Sequence, residues 1–233
     1  MAEGLPVVLV PGLNCSPRLY APQMPELWRF GPVTVADHTR DDTMAAIAKR
    51  ILDAAPARFA LAGLSMGGYI ALEMVRQAPS RVEKLALLDT GSRDDPPDAQ
   101  EKRRSNIALA ESGRFAEITE AQFPLYVHPD RADDRALKAT YLAMCQDVGA
   151  QAYVRQQNAI MSRADSRPVL GTILCPTLVL VGAQDAATPP DLSGEMAAAI
   201  PAARLATIPD CGHLSTLERP EAVTRELVAW MKA

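Results

Sequence analysis

Long apolar runs are missing from this 233-residue chain; no stretch approaches the roughly 20 residues that a membrane-crossing helix needs. The N-terminus, Met1-Ala2-Glu3-Gly4-Leu5-Pro6, has no basic region followed by an apolar segment, so no signal peptide is expected and the expected location is cytoplasmic. Cysteine is scarce and scattered. Cys15, Cys145, Cys175 and Cys211 form no CxxC pair, and His38, His128 and His213 are equally dispersed. A metal site is therefore not expected, and the thiols are expected to be free and mostly buried. An excess of positive charge is missing too. The formal net charge is −4, and the basic run Lys102-Arg103-Arg104 sits beside acidic residues as a solvated helix face would, so a nucleic-acid partner is not expected.

What remains is a composition of 48% hydrophobic and 22% charged residues, enough at this length to bury one sizeable core. Short apolar runs alternate with helical patterns, the signature of a parallel sheet with crossover helices. Strands are expected at Leu5–Val10, Val33–Ala36, Phe59–Leu64, Val82–Leu88, Thr177–Val181 and about Arg204–Ile208. Helices are expected from a Thr43 cap to about Ala54, after Ser65 to about Gln77, over Leu192–Ala199 and over Pro220–Met231. Between Asp89 and about Pro168 the strand signal disappears, and helical patterns fall near Ala99–Ser112, Phe115–Phe123, Asp133–Asp147 and Ala150–Ser162. The expected architecture is α/β: a mostly parallel sheet of about six strands in a core made of 1–92 and 168–233, with a helical cap insertion at 93–167.

The third strand runs straight into Gly63-Leu64-Ser65-Met66-Gly67 and then into a helix. A strand-to-helix turn this tight strains the serine backbone, and the neighbouring glycines relieve the crowding. The hydroxyl is then presented at a helix N-terminus, where free N–H groups favour developing negative charge. A serine hydroxyl needs a base to become a nucleophile. His213, in Pro209-Asp210-Cys211-Gly212-His213 after the sixth strand, is the candidate, while His38 and His128 read as surface or cap residues. An acid must hold the imidazole tautomer, and Asp185, in the loop after the fifth strand, fits the chain order Ser, acid, His; Asp89, at the end of the fourth strand, competes for that role. An oxyanion hole requires two N–H groups. Met66 is expected to supply one, and Leu13, in the loop Pro11-Gly12-Leu13-Asn14, the other. Cys15 and Tyr20 are expected near this pocket. The cap residues Phe123, Leu125, Tyr126, Tyr141, Leu142, Met144 and Tyr153 would either line it or pack the cap against itself. Arg103, Arg155 and Arg163 are candidates for holding a substrate carboxylate, or plain surface residues.

On Val10-Pro11-Gly12-Leu13, Leu61-Ala62-Gly63-Leu64-Ser65-Met66-Gly67-Gly68, Pro176–Gly182 with Asp185, and Gly212-His213 followed by Glu218-Arg219-Pro220, the chain resembles the α/β-hydrolase superfamily over nearly its whole length. It looks most like small, helically capped bacterial members. That resemblance implies a serine hydrolase acting on a small-molecule carboxylic ester or lactone through an acyl-enzyme, with no cofactor. The alternatives on the same serine site are a carbon–carbon bond hydrolase, a lyase, a cofactor-free perhydrolase or a non-catalytic ligand receptor. The chain departs from the pattern in starting without the usual antiparallel strand pair and in carrying Pro11-Gly12 where His-Gly is common. The uncovered sheet edge is where a second copy would pack in a homodimer.

Overall fold

A computed structural model describes residues 4–233; the first three residues of the expected N-terminal core segment lie outside the described residues. In chain order the elements are β1 (Val7–Val10), α1 (Met24–Leu27), β2 (Val33–Val35), α2 (Met44–Ala54), β3 (Phe59–Leu64), α3 (Met66–Gln77) and β4 (Val82–Leu88). Four helices follow without a strand: α4 (Pro97–Glu111), α5 (Phe115–Gln122), α6 (Arg135–Met161) and α7 (Arg167–Leu170). The chain then returns through β5 (Thr177–Gly182), α8 (Pro190–Ala199), β6 (Ala203–Ile208), α9 (Ser215–Glu218) and α10 (Pro220–Lys232).

The strands form one six-stranded sheet in the order β2-β1-β3-β4-β5-β6, and every pairing is parallel. The continuous apolar runs explain this. β1, β3 and β5 are buried at every residue, as strands covered on both faces must be. Alternation sends Val7 and Leu9 to one face, in the same buried cluster as Val223, Leu227 and Trp230 of α10, and Val8 and Val10 to the other, in the cluster that holds Ile47 of α2 and Ile70 of α3. Each such side chain contributes about 1.5–3 kcal/mol by leaving water. The expected Thr43 cap is present, its hydroxyl accepting from Ala46 N at 3.3 Å. The two helices expected at 133–147 and 150–162 are present as two helical segments of α6 (Arg135–Met161), divided at Gly149, whose φ of 76° only glycine takes without strain. α8 begins two residues before the expected Leu192, because Pro190 suits a first helical turn.

Gly67, in the first turn of α3, is where helix and sheet approach most closely. A Cβ there would lie 2.0 Å from the Val10 carbonyl oxygen and 2.8 Å from that of Pro11. Gly194, in α8, has nothing within 4 Å of such an atom. Gly67→Ala is therefore expected to cost about 3 kcal/mol through overpacking, whereas Gly194→Ala should gain up to about 1 kcal/mol from helix propensity. Urea unfolding of both variants checks this, and equal midpoints would contradict the packing.

Candidate active site

β1 and β3 are neighbours, while β2 lies on the far side of β1, so the chain reverses its lateral direction between them. The crevice at the carboxyl ends of two such strands is where parallel sheets bind ligands. The loops after β1, β3, β4, β5 and β6 all open on this rim. Asn14, Ser65, Asp89 and Asp210, with φ of 61°, 55°, 45° and 47°, are the non-glycine residues of positive φ among the described residues, and each follows a strand there. Conformations of that kind cost of order 1–3 kcal/mol each and persist only where surrounding bonds enforce them.

At Ser65 those bonds are visible. Its N–H donates to the Leu88 carbonyl at 2.9 Å, and its carbonyl accepts from Gly68 N–H and from the Thr90 hydroxyl, both at 2.8 Å. The serine backbone is thus clamped between β4 and the first turn of α3.

Asp185 and His213 meet directly. The imidazole Nδ1 lies 2.8 Å from Asp185 Oδ2, which also accepts from the Thr188 hydroxyl at 2.7 Å. The other carboxylate oxygen accepts the Ala187 and Thr188 N–H groups at 2.8 and 2.9 Å. Burial works against the Asp185 charge, but the His213 charge and these bonds outweigh it and hold the carboxyl below its ordinary range. For His213, burial favours the neutral ring, yet the Asp185 charge and hydrogen bond, joined by the Glu218 charge, leave its pKa raised. Nδ1–H donation to Asp185 leaves the Nε2 lone pair as the ring's acceptor. The His213 loop is held by the Tyr126 carbonyl, which accepts from the N–H groups of His213 and Leu214 at 3.1 and 3.0 Å, and by Glu218, which accepts from Gly212 N–H at 3.1 Å.

Ser65 and His213 line the same cavity, of about 830 Å³, between the sheet rim and helices α4, α5 and α6. Leu13 lines it as well, and a small recess beside Ser65 and His213 is walled by Gly12, Leu13 and Cys15. The Leu13 and Met66 N–H groups have no protein acceptor among the described residues. The Leu13 loop is braced from both sides. Gln156 Oε1, on α6, accepts the Asn14 N–H at 3.0 Å, and His38 Nε2 lies 2.9 Å from the Gly12 carbonyl and 3.1 Å from Gln156 Nε2. Burial pushes the Cys15 thiol far up, so it stays protonated and is no rival nucleophile. Among the described residues no cluster of three or more His, Cys, Asp or Glu is placed to hold a metal ion.

The structure corrects some of the expectations for the remaining residues and answers others that were open. His38 is not a surface residue; it is 2% exposed, its ring turned inward while Asp37, Thr39 and Arg40 bond to one another outside. His128 does cap a short turn, its Nδ1 accepting from Asp130 N–H. Of the seven aromatic and apolar residues named above between 93 and 167, Leu125 and Tyr126 line the cavity; Phe123, Tyr141, Met144 and Tyr153 are buried in clusters and Leu142 packs against one of them. Tyr20 is buried with its hydroxyl on the Val10 carbonyl. The Lys102-Arg103-Arg104 run is not wholly a solvated face, since Lys102 and Arg103 line the cavity. Arg155 bonds the Thr39 carbonyl, and Arg163 lies over the Tyr69 ring at 4.2 Å. Asp89 does not touch His213: it accepts from Gly182 N–H at 2.9 Å and pairs with the Ser215 hydroxyl beneath the rim. Gln156 and Ser215 escaped sequence reasoning, because each acts on a partner more than 120 positions away in the chain; Thr188 and Glu218 bond near neighbours, Asp185 and Gly212, and their part in the site shows only once the fold brings those loops together.

The profile of the alpha/beta hydrolase family matches residues 7–226. A protein of Mycobacterium tuberculosis named as a non-heme bromoperoxidase is 33% identical over 80% of this chain and 71% of its own length. A pimeloyl-[acyl-carrier protein] methyl ester esterase of Nitrosomonas europaea is 28% identical over 77% of this chain and 74% of its own. Among solved structures, a thermophilic esterase from Thermogutta terrifontis superposes with a TM-score of 0.90 at 30% identity, covering 99% of this chain and 90% of that one.

Proposed function

Because the chain belongs to the alpha/beta hydrolase family, we propose that it cleaves a small-molecule carboxylic ester or lactone through an acyl-enzyme on Ser65. The observation that carries this reading is the Asp185–His213 hydrogen bond of 2.8 Å on an imidazole that lines one cavity with Ser65. In this mechanism Ser65 Oγ attacks the carbonyl carbon as His213 Nε2 takes the hydroxyl proton, while Asp185 stabilises the imidazolium that forms. Negative charge developing on the carbonyl oxygen is received by the N–H groups of Leu13 and Met66, which have no other protein acceptor to give up among the described residues. His213 returns its proton to the departing alkoxide. Water then attacks the acyl group with His213 as base, and the acid leaves as Ser65 regains its proton. The helices at 93–167 act as a cap that shapes the substrate cavity.

The reading is tested by offering the wild-type protein a panel of activated esters and lactones and by labelling with a fluorophosphonate. Covalent labelling at Ser65 and ester turnover are expected; turnover of no ester or lactone would refute it. A pH profile adds a second check. His213 must be neutral to act as base, and its pKa is raised, so kcat/KM should climb as pH rises through a value above that of free imidazole.

The bromoperoxidase relative supports a second reading on the same serine. Hydrogen peroxide in place of water would convert the acyl-enzyme to a peracid, which oxidises bromide. Bromination that depends on both peroxide and an added carboxylic acid is its signature.

A further inference from the structure

The wall of the cavity formed by α4 carries charge that the protein does not balance. Ala99, Lys102, Arg103, Asn106 and Leu109 recur at helical spacing along α4 and form its cavity-facing stripe. A stripe that faces inward is ordinarily apolar; this one has two cations at its centre. Glu117, the acidic residue that lines the same cavity, is already taken by a bidentate pair with Arg114, at 2.9 and 2.6 Å. Asp95, only 6% exposed, is shared by two guanidinium groups, those of Arg103 and Arg163. Burial disfavours the Asp95 charge, but the two arginines outweigh it and hold the carboxyl below its ordinary range, so a single negative charge faces two positive ones.

The two arginines differ in what they have left to give. Arg163 spends its nitrogens on the carbonyls of Arg93 and Ile160 and on Asp95, and its face covers Tyr69. Arg103 gives Nε and one Nη2 hydrogen to Asp95 and one Nη1 hydrogen to Gln157 Oε1 at 2.8 Å. A guanidinium has five N–H donors, so one hydrogen on each terminal nitrogen of Arg103 has no acceptor among the described residues. Lys102 pairs with no carboxylate among the described residues. Around this patch Leu13, Ile118, Leu125 and Ile160 supply apolar walls, which strengthen the field of the uncompensated cations.

We propose that the ester cleaved at Ser65 carries a free carboxylate remote from its scissile carbonyl, held by the two unspent Arg103 hydrogens and by Lys102. This assignment rests on the hydrolytic reading above and names its substrate class. Paired donors on a planar fork match the two oxygens of a carboxylate, and a single anion balances the excess charge that the shared Asp95 leaves. The rest of the substrate would lie along the apolar walls.

The test compares kcat/KM for the monomethyl esters of the linear dicarboxylic acids from succinic to suberic. Each is set against a neutral methyl ester of the same chain length in which an isopropyl group replaces the carboxyl. At one or more chain lengths the charged ester should be preferred by about tenfold or more, and the preference should shrink as salt is added. Lys102→Met and Arg103→Met should each lower the charged-to-neutral ratio at least threefold. Lys102 is exposed, so its variant keeps the test decisive if Arg103→Met loosens the cap. A purely structural Arg103 would instead lower turnover of both series alike and leave the ratio unmoved. Equal or faster turnover of the neutral esters at every length overturns the carboxylate subsite while leaving esterase chemistry in place. Turnover of neither series overturns this substrate assignment, and the panel of activated esters and lactones then decides separately whether the hydrolytic reading falls with it.

Discussion

Ser65→Ala is expected to lower kcat/KM on any ester substrate by about a hundred-thousandfold or more, the scale seen when a serine nucleophile is removed from an otherwise intact site. The residue that replaces it has no atom to carry the acyl group, and His213 is left as a base with nothing to deprotonate but water. Activity above the uncatalysed rate should survive at a low level, because the Leu13 and Met66 N–H groups still face the carbonyl oxygen. The fold should be indifferent. The bonds that fix this backbone, to Leu88, Gly68 and Thr90, are made by the peptide and not by the side chain, and alanine pays the same cost as serine at a φ of 55°. Thermal unfolding of the variant should therefore match the wild type while fluorophosphonate labelling disappears. Substantial turnover by a well-folded Ser65→Ala protein would transfer the chemistry to another group and end the acyl-enzyme account.

That this residue could be singled out from sequence, while its supports could not, follows from how each is encoded. Ser65 stands in a turn whose demands are local: a strand ending at Leu64, a helix starting at Met66, and glycines where backbones touch. The buried strands are legible for the same reason, since a run such as Thr177–Gly182 has apolar neighbours on both faces. Lys102 and Arg103 were misleading because periodicity reports which face of a helix is apolar, and the inward face of α4 borders a cavity instead of packed side chains. His38 was hidden by its neighbours: Asp37, Thr39 and Arg40 make a polar surface loop, and nothing in the local sequence shows that the ring between them turns toward Gly12 and Gln156, the latter 118 positions away. The choice between Asp185 and Asp89 had the same character. Both follow buried strands, and only the tertiary structure shows which carboxylate touches the imidazole.

Replacing these two acids should separate their roles sharply. Asp185→Asn is expected to reduce kcat by about a thousand- to ten-thousandfold, because the amide no longer enforces the Nδ1–H tautomer or stabilises the imidazolium. Removing the charge that raises the His213 pKa should also move the ascending limb of the pH profile to lower pH. Asp89→Asn should change kcat less than about fivefold, since a fully buried asparagine can keep both bonds, accepting from Gly182 N–H and donating to the Ser215 hydroxyl. Asp89 stays protonated far above the usual carboxylate range, first because it is buried and then because Asp185 repels its charge. The consequence for stability has a definite sign. A carboxyl whose pKa is raised in the folded state supports folding at low pH and withdraws that support as pH rises, because the unfolded chain ionises first. Asparagine ionises in neither state. Asp89→Asn should therefore gain on the wild type as pH is raised above the ordinary carboxylate value, by up to about 1.4 kcal/mol per pH unit, until Asp89 ionises in the folded protein. Denaturant unfolding at a series of pH values measures that gap. If it stays flat while Asp89→Asn lowers kcat as far as Asp185→Asn does, Asp89 is ionised and belongs to the catalytic charge system after all.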